Sequence, residues 1–150
     1  MIELMYALTT GILGIFAGAQ IAEGILFVPY WKSMKPAEFY KQHKTFGPII
    51  YKFFAPLTIA ATLIPIGTTI FALTTDAPGK MAALLTGVFT LLFFATYFMY
   101  FKKANKSFEE ASLSEEELPL ELIKWGKWHW TRIYLELAAL ICALVAVTQI

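Results

Sequence analysis

The sequence predicts an all-α membrane protein: one domain over residues 1–150, folded as a four-transmembrane-helix bundle with a short interfacial helix between spans one and two. Three observations carry that expectation. Hydrophobic residues make up 58% of the 150 positions and charged residues only 15%, a balance too apolar for a soluble domain of this length. Four apolar stretches are each long enough to cross a hydrocarbon core of roughly 30 Å, which takes about 20 helical residues. The lysines, Lys80 apart, fall in or beside two of the connections between those stretches.

The first stretch, Ile2 to Val28, is expected to remain as a span. Glu3 stands where a signal peptide carries basic residues, and the apolar run is longer than a signal core. Gly11, Gly14, Gly18 and Ala22 form a small-residue stripe, which predicts close packing against a neighbouring helix. Gln20 and Glu23 lie on another face, and Pro29 is expected to stop or bend the helix. A short helix follows between Pro36 and Gly47-Pro48. It carries Phe39, Tyr40, His43 and Phe46 along one side between flanking lysines, a pattern for a membrane-surface anchor or a lid over a pocket.

Span two, Pro48 to Leu73, contains Pro56 and Pro65 and places Tyr51, Thr58, Thr62 and Pro65 on one face. Span three, Met81 to Phe101, repeats the arrangement with Thr86, Thr90, Phe93, Tyr97 and Tyr100. The hydrophilic segment from Lys102 to Lys124 is expected to be a solvated connector, with Ser114 and Glu117 as a capping box ahead of Pro119. Span four, Trp125 to Ile150, holds Cys142, the only cysteine. No internal disulfide or cysteine-metal cluster is therefore available.

By the positive-inside rule the two lysine-rich connections are cytoplasmic, and both termini face the other side. No basic and aromatic pattern suggests nucleic-acid recognition. The partners implied are membrane lipid and a hydrophobic small molecule, with a homo-oligomer or a larger membrane complex as the assembly.

Function is sought on span four, where Trp125, His129, Arg132 and Glu136 share one face. An isolated ionisable group in hydrocarbon costs roughly 2.5–3.5 kcal/mol by insertion scales, so such a row should point into protein or a watered pocket. A rise of about 1.5 Å per residue puts Glu23, Tyr97 and Arg132 in one layer, roughly 6–10 Å inside the lysine-rich ends of their spans. Arg132 is expected to lie between Glu23 and Glu136, offering a fork to each. His43 and His129, the only histidines, can ligate haem iron or join Glu23 at a transition metal, or His129 can act as a hydrogen-bonded, proton-shuttling imidazole. A small transporter ranks lower, because the polar groups gather at one end.

Asn105, followed by Trp125, His129 and Arg132, resembles the anthrone-oxygenase-like family of small four-helix membrane proteins. The match runs over most of the chain in span order and is sharpest from Asn105 to Arg132. The chain departs from the family at Lys103, where a proline two residues before the asparagine is common. The resemblance implies a membrane oxygenase fold whose best-known members oxidise anthrones to anthraquinones with molecular oxygen, with Asn105, His129 and Arg132 in the polar pocket. Base-promoted formation of an electron-rich carbanion needs a base, an oxyanion partner and aromatic walls. His129 is the candidate base and Arg132 with Asn105 the oxyanion partners. Tyr97, Tyr100, Trp125 and Trp128 are the candidate walls, and Gln20, Glu23, His43 and Glu136 complete the ligand-binding set. No cofactor is expected for this chemistry, haem or a transition metal being the alternative. A non-catalytic subunit holding a lipid, quinone or haem is the competing class.

Overall fold

The computed structural model describes residues 1–150 and contains four long helices with no strand. Helix α1 runs over Ile2–Ser33, α2 over Pro36–Thr74, α3 over Lys80–Glu109 and α4 over Glu117–Val147, and each is long and apolar enough to cross a membrane. Helices α3 and α4 pack most extensively, and α1 and α2 close the bundle around them. The turn between α2 and α3 is tight. Gly79 adopts a φ of +76°, and a Cβ there would sit 2.9 Å from the Ala146 carbonyl, so glycine lets the turn press against the end of α4. Lys80 reaches back to Asp76, and its hydrogen bond and charge hold that exposed carboxyl below its usual range.

Several expected boundaries move. The segment 36–47 is not a separate interfacial helix, because α2 continues through Gly47, Pro48, Pro56 and Pro65 without a break. Proline is tolerated inside membrane helices when neighbours hold the backbone. Here Phe39 packs edge-on against Phe108 with ring centroids 5.3 Å apart, and the Tyr40 hydroxyl donates to the Leu113 carbonyl at 3.0 Å. The first contact ties the opening turns of α2 to the far end of α3, and the second ties them to the turn that follows it. Nor does Pro29 stop α1. A π turn over Glu23–Phe27 precedes it, and Pro29 falls in the first turn of the α-helical stretch that follows, where a missing N–H is least costly.

The connector over 102–124 is also mostly helical. Helix α3 passes through a second π turn, Tyr97–Phe101, and continues to Glu109, while α4 begins at Glu117. The reason lies in its apolar residues: Ala104, Phe108, Leu118 and Leu122 are buried with Val28, Phe39 and Trp125 in one cluster at the lysine-rich end. The capping box does form. The Ser114 N–H donates to Glu117 Oε2 at 2.9 Å, and the Glu117 N–H donates to Ser114 Oγ at 3.2 Å.

The small-residue stripe of α1 faces away from the bundle. A Cβ added at Gly11, Gly14 or Gly18 would meet nothing within 4 Å. The inward face carries Tyr6, Thr9, Leu13, Phe16, Ala17 and Gln20, because the larger side chains fill the core. On α2, Thr62 and Pro65 are buried as expected, whereas Tyr51 is exposed.

Candidate functional site

Two π turns flank one stretch of α4. Such turns insert an extra residue into a helix and occur frequently at functional sites. The α1 turn opens with Glu23, which is buried, and the α3 turn ends with Tyr100 and Phe101, both buried. His129 of α4 lies beside the first and Arg132 beside the second.

His129 is fully buried. Its Nε2 lies 2.9 Å from the backbone carbonyl of Gln20. A carbonyl only accepts, so Nε2 carries a proton, and in the neutral ring Nδ1 is the basic atom. Nδ1 has no hydrogen-bond partner and faces Glu23, 3.8 Å from its Oε2. The ring is stacked on Trp125, centroids 5.0 Å apart at an angle of 12°. Trp125 is in turn fixed by its indole N–H, which donates to Asn105 Oδ1 at 2.9 Å, and by edge contacts with Trp31 and Phe101.

Arg132 is half-buried. Its Nε donates to the Gln20 side-chain oxygen at 3.0 Å, and its guanidinium lies over Phe101 at 4.6 Å and Phe93 at 5.7 Å. The expected double ion pair is not formed, since neither Glu23 nor Glu136 comes within 4 Å of it. The Gln20 amide and the aromatic faces take the guanidinium instead. Glu136 is buried one helical turn deeper, and neither carboxyl oxygen has a partner.

The sequence-derived set thus divides. Gln20, Glu23, Trp125, His129 and Arg132 form one connected assembly, with Gln20 using its backbone for His129 and its side chain for Arg132. Asn105 is exposed and reaches His129 only through Trp125, so it positions the ring stack and does not face the base. Tyr100 and Trp128 stack on each other at 5.2 Å and 7°, with the Tyr100 hydroxyl donating to Glu121 at 2.6 Å. Tyr97 is 43% exposed and is not a wall. Thr96 takes the inward position just before the π turn, and Phe101 is buried beside Tyr100 at its end. His43 stacks on Phe39 elsewhere in the fold, and no group of three His, Cys, Asp or Glu side chains is arranged to hold a metal, so His43, His129 and Glu23 do not form a ligand set.

Two glycines essential to the arrangement escaped the sequence reading. A Cβ at Gly24 would lie 3.2 Å from His129 and 3.3 Å from Trp130, and one at Gly126 would lie 3.0 Å from Val28. They bring α1 and α4 together at the site. A glycine beside Glu23 and one three residues before His129 are visible signals, but only once the two helices are known to cross there. No family model, curated protein or solved structure matches the chain.

Proposed function

We propose that this chain oxidises a hydrophobic, aromatic small molecule with molecular oxygen inside the membrane, at a site that the lysine distribution assigns to the cytoplasmic half. The observation that carries this reading is the unpartnered His129 Nδ1, held beside Glu23 while Nε2 is occupied by a carbonyl. An acidic benzylic carbon gives its proton to Nδ1. The resulting carbanion adds oxygen, and the hydroperoxide formed loses water to leave a carbonyl. Two C–H hydrogens leave in water, and one oxygen atom stays on carbon. Arg132 is the cation placed to stabilise the developing oxyanion, and the Glu23 carboxyl supports the protonated imidazole. Phe93, Phe101 and Trp125 supply the aromatic walls.

The test is oxygen-dependent turnover of an anthrone by the purified protein. His129→Gln keeps a polar group that can still donate to the Gln20 carbonyl but has no base, so the rate should fall about 10²–10⁴-fold with the fold retained. Equal turnover by the variant removes His129 as the base. A second reading, a non-catalytic subunit of a larger membrane complex whose lipid, quinone or haem is held between subunits and not inside this bundle, is favoured by the tight interior. The cavity between Tyr6 and Ala146 holds about 10 Å³, and the space beside Glu136 does not admit a water-sized sphere, whereas small-molecule sites typically span roughly 300–1,000 Å³. A parent protein that oxidises no anthrone yet purifies with such a molecule, or within a larger assembly, decides for that reading.

A further inference from the structure

Polar side chains are not confined to the lysine-rich end. In the opposite half, Thr9, Thr68, Thr69 and Thr86 are all buried, and they line one cavity of about 10 Å³, the size of a single water molecule. Thr9 Oγ1 donates to Thr68 Oγ1 at 2.8 Å, and Thr69 Oγ1 donates to the Ala83 carbonyl at 2.7 Å. Tyr6 also lines this cavity, and its hydroxyl donates to the Pro78 carbonyl at 2.8 Å in the turn between α2 and α3. One helical turn along α3 from Thr86 is Thr90, buried with its hydroxyl unpartnered. Thr90 lines the same small space as the Glu136 carboxyl, whose two oxygens are also unpartnered. On α4, Ala139 and Ala143 continue the Glu136 stripe and keep the column narrow without filling it with large side chains.

We infer that Glu136 is a proton-exchanging carboxyl in a path through the bundle, running from the Tyr6 end past the threonine hydroxyls to the Glu23–His129 pair. A carboxyl with no donor in a dry interior is suited to carry a proton and poorly suited to remain an anion. Hydroxyls accept and donate in turn, so each can pass a proton, with the cavity at the Tyr6 end roomy enough for one bridging water and rotation of the Thr90 and Glu136 side chains carrying the proton across the dry space between them. The proton that arrives on a Glu136 oxygen leaves for the Glu23–His129 layer roughly 10 Å away, seven residues along α4, and no electron is exchanged. The only charged group facing Glu136 is Arg132, on its own helix. Helix α1 presents Leu13 and Phe16 to it, α2 presents Ala61, and α3 presents Thr90 and Phe93. Arg132 therefore sets the electrostatic barrier between Glu136 and the shallower Glu23–His129 pair.

The test is proton flux, a readout independent of any oxidation. The purified full chain is reconstituted into phosphatidylcholine vesicles enclosing a pH-sensitive dye, and a potassium gradient with valinomycin supplies the driving potential. The parent should carry protons faster than protein-free vesicles, Glu136→Gln should return the rate to the protein-free level, and Thr90→Val should slow it. A parent no faster than protein-free vesicles overturns the inference, as does a Glu136→Gln protein that conducts like the parent. Should Glu136→Gln fail to reconstitute, Glu136→Asp and Thr90→Val decide: slowed flux in both supports the path, and parental flux in both overturns it.

Discussion

Gln20 shows how much one uncharged residue can organise. Its backbone carbonyl fixes the tautomer of His129, and its side-chain oxygen holds Arg132. The charged residues around it make few direct contacts with one another. Arg132→Ala should therefore cost more than a lost surface charge. Removing a hydrogen bond from a charged donor costs about 1.5–3 kcal/mol, and losing the cation over Phe101 adds about 0.5–2 kcal/mol. Thermal unfolding in detergent should show a combined loss of about 2–5 kcal/mol. Arg132→Lys keeps the charge without the planar fork or the Nε donor, so it should recover only part of the loss. A parental melting curve for both variants would mean that Gln20 and Phe101 do not hold the guanidinium. The spacing of Trp125, His129, Arg132 and Glu136 disclosed the row of polar side chains, because a single helix repeats them on one face. What it left open was the partner of each, since partners come from other helices whose rotation depends on packing.

Among elements, the turn between α3 and α4 is the most sensitive to local chemistry. Ala111 adopts a φ of +48°, a conformation that costs an L-residue roughly 1–2 kcal/mol. Ala111→Gly should raise stability by about 0.5–1 kcal/mol after the added freedom of the unfolded chain is counted. Ser114→Ala removes a capping oxygen and should lower it by about 1 kcal/mol. Opposite shifts in thermal unfolding, with faster proteolysis between Glu110 and Glu116 in the alanine variant, are the expected outcome. Four spans were legible from hydropathy alone. Their continuation beyond the apolar stretches was not, because Phe108, Leu118 and Leu122 sit among lysines and glutamates and read as a polar connector until they meet Phe39 in one cluster. The π turns were equally silent, and each shifts every later residue by one position. Tyr97 opens the second turn and lies outside because Thr96 takes the inward position just before it.

For the whole molecule, the distribution of lysine should decide orientation. A reporter fused after Ile150 is expected on the non-cytoplasmic side, and a tag inserted at Ser112 on the cytoplasmic side. The reverse labelling would move the site to the opposite face of the membrane without altering its geometry. Either result leaves the inventory of the two ends unchanged: the lysines other than Lys80, the tryptophans and both histidines at one, threonines and a tight glycine turn at the other.

Helix α2 has 39 residues, which at about 1.5 Å each reach roughly 58 Å, against a hydrocarbon core of roughly 30 Å. The turn at Gly79 leaves almost no surplus at its own end, so the excess overhangs on the lysine-rich side. A bilayer of different thickness is thus accommodated by sliding along the overhang, with little need for tilt. Glu23, His129 and Arg132 lie just below that overhang, and their distance from the headgroups follows the length of the lipid tails. Short-chain lipids are therefore expected to leave the site nearer the headgroups and long-chain lipids to submerge it.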